Sequence, residues 1–187
     1  MSALLADPFL FAAGSVLITW LSRKPLRHPG SHGFFRFFAW EGILALFVMN
    51  RQPWGEDPLA PHQMFSWVLL ITSIVFVALG AAMLHSQGSA AAARADDTLY
   101  EFEKTTALVT TGIFAHIRHP MYASLLALAW GAFFQAPSWD GLAVAAVSTL
   151  FLGLTATADE RECLAYFGQP YADYMRRPPR RFFPGIY

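Results

Sequence analysis

MFSWVLLITSIVFVALGAAMLH, residues 64–85, runs for 22 positions without an aspartate, glutamate, lysine or arginine. About 20 consecutive apolar residues are enough for a helix to cross the hydrocarbon of a bilayer. The stretch therefore predicts a membrane-spanning helix, and the chain on either side repeats the pattern. Downstream, residues 120–139 and 141–158 are also uncharged and are separated only by Asp140. Upstream, residues 33–50 are apolar apart from Arg36 and Glu41, and residues 8–22 form a shorter stretch extended by Ala3–Ala6. The pattern predicts five transmembrane helices. Composition agrees: 55% of the 187 residues are hydrophobic and 14% are charged, whereas about 25% charge is usual in a soluble domain. The start, MSALLADP, carries an acid and no base, so it does not read as a cleaved leader.

Basic residues set the expected orientation. With five spans, Arg23, Lys24, Arg27, Arg36, Arg94, Lys104, Arg118, Arg161, Arg176, Arg177, Arg180 and Arg181 fall on one side and only Arg51 on the other. Cytoplasmic connections are the ones enriched in lysine and arginine. The reading is a multi-pass protein of a bacterial inner membrane, N-terminus outside and C-terminus cytoplasmic. It divides into three N-terminal helices over 1–85, a cytoplasmic connection over 86–119, a hairpin over 120–158 and a cytoplasmic tail over 159–187. The turn APSWDG, residues 136–141, makes the last two helices antiparallel and brings His119 and Asp159 to one membrane face. The single Cys163 excludes an internal disulfide and a cysteine metal cluster. No glycine-rich nucleotide loop is present, and nothing suggests nucleic acid as a partner.

Polar residues concentrate in three places. In LVTTGIFAHIRHPMY, residues 108–122, Pro120 suits the first turn of a helix. Unpaired amides at a helix start, with Arg118 and His119, would hold a carboxylate. The bland alternative is that Arg118, His119 and Tyr122 reach for lipid headgroups. Asp159, Glu160 and Glu162 oppose the dipole if the helix ends near them, which calls for a basic partner or a cationic ligand. A continuing helix with a solvated face is the other reading. Glu41, an acid inside a span, is either functional or paired with another helix.

The two later motifs resemble the isoprenylcysteine carboxyl methyltransferase family and its bacterial and archaeal relatives, themselves similar to phosphatidylethanolamine N-methyltransferases. LVTTGIFAHIRHPMY is similar to the family's L-V-T-x-G, aromatic, R-H-P-x-Y pattern. DERECLAYFGQPYADY, residues 159–174, is similar to its acidic pair followed by F-G-x-x-Y-x-x-Y. The resemblance covers roughly residues 99–184. It implies an all-α integral membrane methyltransferase of five helices. Its cytoplasmic pocket for S-adenosylmethionine would be formed by the loop before helix four and the C-terminal tail. By position, a strand-like segment of Thr106, Ala107, Leu108 and Val109, with Phe114, would cradle the cofactor. His119, Pro120, Met121 and Tyr122 would hold its amino-acid end, and Asp159 with Glu160 would supply the acidic contact. Arg118, His119 and Glu160 are the catalytic candidates, the last two as bases for an amine or thiol acceptor. No metal is implied. The acceptor would be lipophilic or small, entering from the membrane lipids. Thr155 stands where the family often has an arginine, which puts a prenylcysteine acceptor in doubt. Cys163, with Arg181 and the closing Pro184, Ile186 and Tyr187, also resembles NADPH-dependent membrane sterol reductases, the alternative enzyme class. A membrane protein without enzymatic activity is the remaining reading.

Overall fold

The computed structural model describes residues 2–52, 54, 56–88, 99, 104–177 and 180–183. The described residues form six α-helices: α1 Ser2–Leu21, α2 His32–Met49, α3 Pro61–Gln87, α4 Pro120–Gln135, α5 Trp139–Phe167 and α6 Gln169–Met175. Among the described residues there is no strand. Most of the small-residue stretch 86–97 and the terminal Pro184, Ile186 and Tyr187 lie outside the described residues.

Three helices, α2, α3 and α5, are long and apolar enough to cross a membrane, and α1 holds a shorter apolar stretch, Pro8–Leu21. The fourth expected span is shorter than its sequence suggested. α4 has 16 residues, about 24 Å at 1.5 Å per residue, against a hydrocarbon core of about 30 Å. Its end is held by side chains. The last carbonyls of a helix have no partner within it. Here Asn50 Nδ2 donates to the Ala132 carbonyl at 2.8 Å, Gln63 Nε2 to that of Gln135 at 2.8 Å, and Ser66 Oγ to that of Gly131 at 2.6 Å. These three donors are buried, so carbonyls of the last turn find partners within the protein.

α3 packs on α4 and α2 on α5, with α1 against α2. Small residues permit the approach. A Cβ added at Gly42 of α2 would stand 2.1 Å from Ser148 Oγ of α5, so the two backbones meet where only glycine fits. Ile43, Leu46, Ala129, Phe133 and Ala145 form the core beside this contact. Ser31 and Ser138 cap the starts of α2 and α5 by accepting from Phe34 N and Gly141 N, both at 3.1 Å. Glu41 takes the interhelical reading: Ser15 Oγ of α1 donates to its Oε2 at 2.6 Å.

α5 continues to Phe167. Asp159, Glu160 and Glu162 therefore stand inside a helix and not at its C-terminus, which removes the dipole argument for a compensating ligand. Glu162 holds the start of α2 instead, accepting from His32 N at 2.9 Å and meeting His32 Nδ1 at 2.5 Å. Gly168 then reverses the chain with φ 64° and ψ −134°, a region that residues with a Cβ avoid. The reversal folds α6 back so that Tyr171 and Tyr174 are buried. Gly168→Ala is expected to cost about 1–3 kcal/mol, read as a lower unfolding midpoint in detergent. An unchanged midpoint would mean that this turn carries no strain.

Candidate active site

The expected meeting of the two polar motifs occurs. His119, the residue before α4, lies with Nε2 3.1 Å from Glu160 Oε1 and Nδ1 3.5 Å from Asp159 Oδ2. Glu160 is the hub of this cluster and is only 4% exposed. Its Oε1 also accepts from Arg118 Nε at 2.8 Å, and its Oε2 from Arg181 Nη2 at 2.8 Å. Arg181 Nη1 donates in turn to Thr157 Oγ1 at 3.2 Å. The tail adds backbone bonds: Arg118 N donates to the Arg180 carbonyl at 3.1 Å and His119 N to the Arg181 carbonyl at 2.9 Å. Arg180 and Arg181 thus lie across the end of the first motif, and Arg181 reaches the start of the second. The two amides immediately before α4, expected to be open to a carboxylate, are occupied by this strap.

Burial works against a charged His119, but hydrogen bonds and charge from Asp159 and Glu160 outweigh it and raise its pKa above the ordinary imidazole value. Its ring stacks on Tyr122, with centroids 5.4 Å apart.

A cavity opens beside the cluster. The motif before α4 contributes Leu108, Val109, Phe114 and residues 118–122, while α5 and α6 contribute Asp159, Cys163, Phe167, Tyr171 and Tyr174. Tyr174 closes the ring between them by donating its hydroxyl to the Phe114 carbonyl at 2.8 Å. Asp159 faces this space with its side chain 21% exposed, and Cys163 Sγ stands 3.6 Å from Asp159 Oδ1.

Three expected site residues are placed differently. Thr106 and Ala107 are off the cavity wall; their amides donate to the Gly88 carbonyl at the end of α3, at 3.0 and 3.1 Å. The segment 106–109 is irregular and not a strand. Glu160 lies behind the wall, saturated by cations. Conversely, Thr105, Tyr171 and Tyr174 line the cavity without having been given a role from sequence, and Cys163, expected only under the reductase alternative, lines it too. The F-G-x-x-Y-x-x-Y spacing was the available signal for the two tyrosines, since it places both on one face of a short helix. Among the described residues no group of three or more His, Cys, Asp or Glu could hold a metal ion, and His116 is exposed while His119 is buried.

Helices long and apolar enough to span a membrane, with a cavity walled by arginine, histidine, acid and aromatic side chains, place the chain among membrane proteins. The chain matches the phospholipid methyltransferase family over residues 63–169 and belongs to it. It is therefore a membrane methyltransferase by family. No curated protein and no solved structure matches the chain.

Proposed function

We propose that the cavity binds S-adenosylmethionine and that the protein transfers its methyl group to a lipophilic acceptor arriving from the bilayer. The observation that carries this reading is the joint wall. The R-H-P-x-Y motif, ending at Tyr122, and the acidic motif, beginning at Asp159, line one cavity, most of it within the region of the family match.

The residues fit the cofactor by chemistry. Asp159 offers a carboxylate to an ammonium or to hydroxyls, and Arg118 and His119 bring positive charge to the same wall. Phe114, Tyr122 and Phe167 give flat faces for a purine and a π-face for a cation. When bound, the cofactor supplies an activated methyl group on a sulfonium. The chain's own contribution is positioning and exclusion of water. Glu160, occupied by Arg118, His119 and Arg181, orients His119 and is not free to act as a base. Asp159 is the carboxylate that faces the cavity; paired with the His119 ring at 3.5 Å, it stays ionised and suits a ligand's cation or hydroxyls rather than taking up a proton. In the orientation set by the arginine and lysine asymmetry, this end of the bundle is cytoplasmic.

Purified protein in detergent tests the reading. S-adenosylhomocysteine at about 100 times its dissociation constant should stabilise the fold by about 2.7 kcal/mol, seen as a raised melting temperature, while NADPH should leave it unmoved. Stabilisation by NADPH alone would replace the methyltransferase with a reductase.

A further inference from the structure

Tyr171 lines the cavity. It sits on α6 just after the Gly168 reversal, is 4% exposed, and stacks on Phe167 with ring centroids 6.5 Å apart. Among the described residues its hydroxyl makes no hydrogen bond, whereas the hydroxyl of Tyr174, one turn on, donates to the Phe114 carbonyl. The side chain is almost wholly covered, yet its hydroxyl is not sealed from solvent, which leaves it open to a partner from the cavity. Tyr171 shares the cavity wall with Asp159 and Cys163, whose charges act on its hydroxyl.

Resting on the methyl-donor reading above, we propose that Tyr171 is a ligand-binding residue whose hydroxyl donates to an oxygen of the bound methyl donor, beside a group held by Asp159. A carboxylate next to a phenol suits a ligand that presents a donor and an acceptor side by side. An α-amino acid head does so through its ammonium and carboxylate, and a ribose does so through its hydroxyls. Both belong to the same molecule. Burial, with the neighbouring negative charge, pushes the Tyr171 ionisation far above its ordinary value, so the hydroxyl remains a donor at every working pH.

Tyr171→Phe separates this role from packing because the two predict opposite signs. The ring and its stacking are kept and an unpartnered hydroxyl is removed, so the ligand-free melting temperature should stay level or rise. The affinity for S-adenosylhomocysteine, measured by calorimetry on the full chain in detergent, should fall about fivefold to tenfold. Methylthioadenosine, which keeps the ribose and lacks the amino-acid head, identifies the oxygen. A retained penalty assigns the ribose hydroxyl, and a vanished one assigns the carboxylate. Equal affinity of wild type and variant for S-adenosylhomocysteine would overturn the proposal. So would a fall in the ligand-free melting temperature, which would make the hydroxyl structural. Failure of the wild-type protein itself to respond to S-adenosylhomocysteine would overturn the methyl-donor reading, and this assignment with it.

Discussion

Glu160→Ala is expected to lower stability by about 3–5 kcal/mol and to abolish ligand binding through loss of the fold around the cavity. The magnitude is that of breaking a buried ion pair from one side. Glu160 is almost fully buried and is the anion shared by Arg118 at 2.8 Å, His119 at 3.1 Å and Arg181 at 2.8 Å. Alanine removes that anion while the cations stay in a low-dielectric setting, where the cost of an uncompensated charge is highest. Glu160→Gln keeps an acceptor oxygen and so should fall between alanine and wild type. Unfolding midpoints in detergent, measured with and without S-adenosylhomocysteine, decide the matter. If Glu160→Gln kept wild-type stability but lost all turnover, the residue would be acting on ligands directly, against its assignment as a positioning group.

The spacing of the apolar stretches carried the helical, membrane-spanning character of the chain. The turn at 136–141 carried the approach of His119 to Asp159, because an antiparallel hairpin leaves its two open ends adjacent. Other features were not visible locally. The length of α4 depends on Asn50, Gln63 and Ser66 reaching its last carbonyls from α2 and α3, contacts between positions 65 to 82 residues apart. The division of labour between neighbouring acids is also a matter of helix phase. Asp159 and Glu160 differ by about 100° around α5, enough to turn one toward the cavity and the other into a cage of cations. The strap was hidden for a similar reason. Arg181 in a basic tail reads as an interaction with anionic lipid, and only the fold shows its guanidinium on Glu160 and its carbonyl on the His119 amide.

The second large effect is expected from His119, and its sign follows from geometry. Both ring nitrogens face carboxylates, Nδ1 toward Asp159 at 3.5 Å and Nε2 toward Glu160 at 3.1 Å. A neutral imidazole has one N–H, so only the imidazolium donates to both. The folded pKa is accordingly raised above the unfolded value near 6.5. A group of this kind contributes stability that is fully present below the unfolded pKa and is lost as pH rises through the folded one. His119→Gln, which cannot be protonated, should therefore be less stable than wild type by about 3–5 kcal/mol on the acid side of that window. The gap should narrow steadily as pH climbs above it. Melting temperatures of both proteins across neutral and alkaline pH test this. A gap that stayed constant or widened with pH would mean that a neutral histidine occupies the site, and Asp159 would then face the ligand without a cation paired to it.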